Sequence, residues 1–176
     1  VRARRRRGRH RPDRPIDLIP APRRVDDDRG GAGPDRGQHR DDGLHRVGVA
    51  GREPLPVQAR MTGADSARFV GTLRTSPAAG PDPDVVVERT RHADGTERIT
   101  FRNAAPRALR LPVEVALGSD LAELGTIAAG AAGPELPASV HDSGLRWAKA
   151  DAAACVTADP PPADALASAG LLRWEL

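Results

Sequence analysis

Residues 109–117 read LRLPVEVAL, and apolar side chains alternate with other residues along the whole stretch. Leucine or valine occupies every odd position, whereas arginine, proline, glutamate and alanine occupy the even ones. Successive side chains of a β-strand point to opposite faces of the sheet, so a period of two is typical of a strand that buries one face. The stretch therefore predicts a half-buried strand.

The residues before this strand predict a β-hairpin over 85–103. A run of three valines opens it at 85–87, a turn follows at 92–95 (HADG), and residues 97–103 (ERITFRN) return. An Asp-Gly pair between two β-prone segments favours a tight turn. Together with the strand at 109–117, the hairpin predicts a mainly β fold, specifically an antiparallel β-sandwich-like domain.

Shorter signals extend this prediction in both directions. Further strands are expected in the segments 47–57, 68–75, 144–147, 152–157 and 171–176. One helical turn is expected after residue 117, because Asp120 and Glu123 have the spacing of a capping box and Gly125 follows them. The final strand, 171–176, is predicted to lie at a cut edge of the domain, so that the domain is truncated there.

Charge is distributed unevenly along the chain. Residues 1–60 contain 16 arginines and 9 acidic residues, whereas residues 61–176 contain 11 basic and 15 acidic residues. The overall charge of +3 and the isoelectric point near 10.2 therefore describe the N-terminal segment rather than the remainder. Because aspartates interrupt the arginines in this segment, nucleic-acid binding is not the favoured reading of its positive charge.

Residues 1–46 are predicted to be a disordered Arg/Asp/Gly/Pro-rich tail, and residues 47–176 the folded domain. Neither a period of two nor one of 3.6 can be followed through the tail, and its apolar residues are scattered singly. A different interpretation stays open for the same composition. GC-rich DNA read upstream of a true start, or out of frame, yields such residues, so the tail is either a genuine segment or a spurious one.

The single cysteine, Cys155, excludes an intrachain disulfide and gives no sign of an oxidising compartment. No apolar run approaches the roughly 18 residues that a membrane span requires. We therefore expect a cytoplasmic protein that does not contact a membrane. Cys155 is interpreted as a small buried thiol on a strand rather than as a nucleophile.

Candidate catalytic and metal-binding residues are few. The five histidines share no metal-like spacing with Cys155 or with a pair of carboxylates, so no metal site, cofactor or catalytic residue is predicted. Glu97 and Glu114 would suit a glycosidase pair only if the fold brought them together, and they are better interpreted as charges on the exposed face of a sheet.

Trp147 and Trp174 are the two tryptophans of the chain. An indole offers a flat apolar face on which a sugar ring can stack, which makes both residues candidate glucan contacts. In a chain with only two phenylalanines and no tyrosine, large aromatic residues are needed for a core. The core interpretation is therefore favoured over the glucan-binding one.

Several segments in this order resemble one known family. They are 51–55 (GREPL), 69–71 (FVG), 97–103 (ERITFRN), the strand 109–117 with its continuation 118–124 (GSDLAEL), and 144–147 (GLRW). Together they resemble the N-terminal domain of bacterial glycogen-debranching enzymes of the amylo-alpha-1,6-glucosidase type, over residues 48–176. The order of the ERITFRN, alternating-strand and GSDLAEL segments is the most specific part.

The resemblance implies a β-sandwich-like module that precedes an α/α-barrel, with the catalytic carboxylates on that barrel. This chain has neither the barrel nor, in residues 1–46, the Asp-Thr-Arg element with which the family's domain opens. We therefore expect a non-catalytic domain that supports α-1,6-glucan hydrolysis by a barrel in the same protein, with α-glucan as a further candidate partner. The alternative is a stand-alone interaction module whose Arg-rich tail binds an acidic partner such as nucleic acid.

Overall fold

A computed structural model describes residues 14–20, 45–75, 82–131, 133–150 and 152–176. The strands are β1 Arg14–Pro20, β2 His45–Val49, β3 Leu55–Met61, β4 Ser66–Leu73, β5 Val85–His92, β6 Glu97–Asn103, β7 Pro112–Leu117, β8 Ser139–His141, β9 Gly144–Lys149, β10 Ala152–Asp159, β11 Asp164–Leu166 and β12 Leu171–Glu175. One helix, α1 Leu124–Ala128, and a 3-10 turn at Ala167–Ala169 complete the described elements. The mainly β fold is as predicted.

The strands form two antiparallel sheets. The larger sheet has eight strands in the order β3-β4-β5-β6-β1-β10-β9-β8, and the smaller has four in the order β11-β12-β7-β2. The predicted hairpin is the β5–β6 pair, in which Val85 lies opposite Asn103 and Arg91 opposite Glu97. Gly95 adopts a positive φ of 90° in the turn between them, a conformation that glycine adopts without steric cost.

The two sheets bury their facing sides in one apolar core, which makes the fold a sandwich. The larger sheet contributes fully buried residues such as Ile99 and Leu145, and the smaller contributes Val113, Val115 and Leu172. Val113 and Val115 belong to the alternating segment from which the half-buried strand was predicted. Their burial and the partial exposure of Glu114 between them confirm that prediction.

Strand β1 corrects the prediction that residues 1–46 form a disordered tail. Arg14–Pro20 pairs with β6 on one side and β10 on the other, inside the larger sheet. Ile16 is 0% exposed and Leu18 is 3% exposed. Apolar and polar residues alternate over only two or three positions of this strand, which is too short a pattern to predict it. Its partner strands also lie far away along the chain. Residues 1–13 and 21–44 of the predicted tail lie outside the described residues.

The last strand lies where the sequence predicted it along the chain, but it does not lie at the expected edge of the sheet. β12 pairs with β7 through Trp174 and Val113, and with β11 through Leu172 and Ala165. Leu176, just after the strand, exchanges two backbone hydrogen bonds of 3.0 Å with Leu111. Since both sides of β12 are paired, it is an internal strand of the smaller sheet rather than an exposed edge.

The helical turn lies later than its capping signal predicted. Asp120 does not cap α1, whose N-cap residue is Glu123. Instead the Asp120 carboxylate accepts hydrogen bonds from the backbone N–H groups of Ala122 (3.0 Å) and Gly133 (2.9 Å). Such a side-chain turn is a common alternative to helix capping for aspartate. In the part of the chain that the structure describes, no helix is long and apolar enough to cross a membrane.

Candidate functional site

The residues considered as metal ligands or nucleophiles are scattered. His92 and His141 are exposed, and Cys155 is a half-buried free thiol on β10, which partly matches its interpretation as a buried strand residue. His10 and His39 lie outside the described residues, and the side chain of His45 is not described. Within the described ranges, no group of three or more His, Cys, Asp or Glu residues is arranged to hold a metal ion.

Glu97 and Glu114 occupy different sheets and have different surroundings. Glu114, on β7, is 37% exposed and accepts a hydrogen bond from Arg173 Nε at 2.8 Å. Glu97, at the start of β6, is only 4% exposed, so its interpretation as a charge on the exposed face was wrong. Two guanidinium groups compensate the burial of this carboxylate, because Arg89 and Arg91 both donate to it.

Both tryptophans lie in the core. Trp147 is 2% exposed and Trp174 is 4% exposed, and the indole N–H of Trp174 donates to the Pro160 carbonyl at 3.0 Å. A ring enclosed by other side chains presents no face to a sugar. Their burial favours the core interpretation of Trp147 and Trp174, and their role as glucan contacts stays a prediction.

A groove of about 550 Å³ lies beside β3 and β4 on the described surface. We call it the β3–β4 groove. Its apolar lining comprises Val47, Pro54, Pro56, Val57, Ala59, Phe69, Val70, Gly71 and Val87, and its polar lining comprises Arg46, Glu53, Gln58, Arg89 and Arg91. Binding sites for small molecules typically have this size and this mostly apolar character.

The shape of the groove depends on a close approach between the segment before β3 and strand β4. A Cβ atom on Gly71 would lie 2.9 Å from the Cβ of Pro54 and 3.3 Å from the Leu55 carbonyl oxygen. Only glycine therefore lets Pro54 pack against β4 at this point. In β3 itself, the pairing register shifts between Pro56 and Gln58, so Val57 lies in a bulge. Bulges of this kind change the direction of a strand at a sheet edge.

The charged end of the groove is built from β5 and β6. Arg89 and Arg91 lie two residues apart on β5 and therefore project from the same face, the face that carries Val85 and Val87. Their Nε atoms lie 2.5 Å and 2.8 Å, respectively, from the two carboxylate oxygens of Glu97. The Arg91 guanidinium also lies over the ring of Phe69, 5.8 Å from its centroid, within the range of a cation–π contact.

The opposite face of the larger sheet carries ion pairs that are more exposed. Arg68 binds Glu88 through both its Nε and Nη2 atoms at 2.6 Å and 2.5 Å, and Arg98 binds Asp17 in the same two-point manner at 2.7 Å and 3.0 Å. The hydrogen bond from Arg68 lowers the pKa of Glu88 below its ordinary value. These pairs link neighbouring strands, and they do not line the β3–β4 groove.

Arg89 and Arg91 were not among the predicted site residues, although the sequence contains a signal for them. Val85, Val87, Arg89 and Arg91 share one parity along the predicted hairpin. The tight turn at 92–95 also places Arg91 opposite Glu97. The face of β5 that buries Val85 and Val87 continues with Arg89 and Arg91. This pattern predicts a cluster of charges that faces inward.

The described structure defines the class of this protein as an antiparallel β-sandwich domain with a ligand-sized groove at one end of its larger sheet. The model of one protein family, the N-terminal domain of (some) glycogen debranching enzymes, matches residues 44–176, about three quarters of the chain. The chain belongs to this family. Comparison with curated proteins and with solved structures gave no match. Strand β1 lies outside the matched residues, although it pairs inside the larger sheet.

Proposed function

We propose that this chain is a non-catalytic domain of a glycogen-debranching enzyme and that it supports hydrolysis of α-1,6-glucan branches by a catalytic α/α-barrel. The observation that carries the proposal is the family match over residues 44–176. The description of that family as N-terminal implies that further domains follow in its members. In this proposal the barrel supplies the acid and base, the β domain holds the barrel in its active arrangement, and the enzyme acts in the cytoplasm.

The surface of β3 supports a role in contacting another domain. Strand β3 is an edge strand, and every residue of it is exposed. Leu55 and Met61 are 70% and 67% exposed. Exposed apolar side chains on an unpaired strand edge favour association with another surface, and a folded neighbour in the same protein would cover them. We therefore place the contact with the catalytic domain on β3.

Sequencing the DNA that flanks this coding region tests the proposal first. A reading frame for an α/α-barrel that continues in phase after residue 176 is the expected result. A stop codon directly after residue 176, with no barrel encoded nearby, would contradict a role as a domain of a debranching enzyme.

A second experiment tests the proposed contact in the whole enzyme. Replacing Leu55 and Met61 together by serine is expected to lower the rate of glucose release from a branched dextrin, because the domain contact weakens. The matched control is Val140→Ser, since Val140 is 55% exposed on β8 at the other edge of the same sheet. Equal activity of the control and the double variant would place the contact elsewhere.

A further inference from the structure

We propose that the β3–β4 groove is a binding site for an organic anion, specifically a molecule with an apolar body and a carboxylate head. The inference goes beyond the proposed debranching role, since α-glucans carry no charge, and it applies to the 176-residue chain, in which β3 is exposed. It depends on three features of the groove, namely its apolar lining, an excess of arginine over acidic residues in that lining, and a buried N–H group of Arg89 that has no partner among the described residues.

The apolar part of the groove suits a hydrophobic ligand body. Phe69 is 36% exposed and Val57 is 65% exposed, so both present carbon surface at the groove. Val87, which is 2% exposed, lines the groove where it meets the core. Transfer of an apolar group from water into such a groove is favourable in proportion to the area it buries.

The charges at the groove favour an anion over a cation or a neutral molecule. Its lining contains three arginines and one acidic residue, Glu53. Glu97, beneath Arg89 and Arg91, compensates part of this excess. Arg46 is exposed and forms no ion pair with any described residue. Guanidinium groups bind carboxylates with matching two-point geometry, which makes a carboxylate the fitting head group.

The Nη2 atom of Arg89 is the most specific feature. It is buried and has no hydrogen-bond partner in the described structure, whereas Nε of the same group donates to Glu97. A buried donor without an acceptor is costly, and native proteins usually satisfy such groups. Arg89 lines the groove, and an oxygen atom of a bound ligand would satisfy this donor if binding displaces the side chains that cover Nη2.

Isothermal titration calorimetry of the 176-residue chain with four probes tests the inference. Hydrocinnamate has both the apolar body and a carboxylate. Hydrocinnamyl alcohol has the same body without the charge, and acetate has the charge without the body. Maltotriose is a neutral carbohydrate. We expect hydrocinnamate to bind at least about tenfold more tightly than the alcohol or acetate, since a charge-assisted hydrogen bond has an effect of this order.

Two variants locate the site. Arg46→Met removes an exposed cation that forms no ion pair with any described residue, and should weaken hydrocinnamate binding about three- to tenfold. Arg89→Lys keeps the positive charge near Glu97 but removes Nη2, and should weaken binding about tenfold. Arg146→Met is the control, because Arg146 is exposed on β9 and does not line the groove. Thermal melts of each variant establish that it is folded.

Three outcomes would overturn the proposal. The first is equal affinity for hydrocinnamate and its alcohol, and the second is tighter binding of maltotriose than of hydrocinnamate. The third is an Arg46→Met variant that binds hydrocinnamate as well as Arg146→Met does. Failure of the debranching role would leave these affinities unchanged, so the two proposals are tested separately.

Discussion

Arg89 and Glu97 form a diagonal ion pair across the β5–β6 hairpin. Nε of Arg89 lies 2.5 Å from Oε1 of Glu97, although the residue directly opposite Arg89 in the register is Ile99. Arg91, which does lie opposite Glu97, binds the other carboxylate oxygen. One buried carboxylate thus holds two arginines of the neighbouring strand at the end of the core.

Replacing Glu97 by glutamine should destabilise the domain by about 2 kcal/mol or more, because it leaves two guanidinium groups without their buried counter-charge. Urea unfolding followed by tryptophan fluorescence measures this effect. Glu114→Gln is the control, since the Glu114–Arg173 pair is largely exposed and its loss should cost less than about 1 kcal/mol. If both variants lose the same free energy of unfolding, the buried Glu97 cluster stabilises the domain no more than an exposed ion pair does.

Strand β1 provides a comparison between two isoleucines of the same strand. Ile16 is 0% exposed and Ile19 is 43% exposed. Ile16→Ala should destabilise the domain by about 2–5 kcal/mol, the usual cost of emptying a buried isoleucine site. Ile19→Ala should cost about 1 kcal/mol or less. If both variants unfold at the same urea concentration as the unmodified chain, β1 does not belong to the sheet.

The two core tryptophans should respond differently to phenylalanine. Both substitutions remove volume, but only Trp174→Phe also removes a hydrogen bond, because the indole N–H of Trp147 has no partner among the described residues. Trp174→Phe should therefore lower the free energy of unfolding by about 1 kcal/mol more than Trp147→Phe does. Chemical denaturation of the two variants measures the difference. A larger loss for Trp147→Phe would contradict the assigned hydrogen bond to Pro160.

The pair between Arg68 and Glu88 predicts a pH dependence of stability. Since folding lowers the pKa of Glu88, its contribution is present above the unfolded-state value of about 4.3 and is lost as the pH falls through the lower folded-state value. Glu88→Gln should therefore be less stable than the unmodified chain at pH 7. The difference should shrink as the pH falls below about 4.3, as measured by thermal melts from pH 7 downwards. A difference that stays constant with pH would contradict the pair.

The larger features of the fold could be predicted because they depend on local patterns. The alternation in LRLPVEVAL and the turn in HADG determine a strand and a hairpin from neighbouring residues alone. The partners of β1 could not be predicted in this way, because Asp17 and Arg98 are separated by 81 positions along the chain. The last strand lies inside its sheet because β12 pairs with β7, and this pairing is also non-local.

The candidate groove could be predicted only in part. The inward parity of Arg89 and Arg91 is visible in the sequence once the valine face is followed beyond Val87. The close packing of Pro54 on Gly71 and the bulge at Val57 are properties of the β3–β4 pair, and no periodicity reveals them. The alternation of residues likewise does not predict whether Trp147 and Trp174 are buried. It shows which residues share a face of the strand, but not which face is covered by the other sheet.

An assay of glucose release from a branched α-limit dextrin tests the central claim most directly. The purified 176-residue chain is compared with a protein in which the same chain is followed by the α/α-barrel that the proposed function expects after it. The account predicts no release by the chain alone, and release by the longer protein that falls when the β domain is deleted. Glucose release by the chain alone, or full activity of the barrel without the β domain, would contradict it.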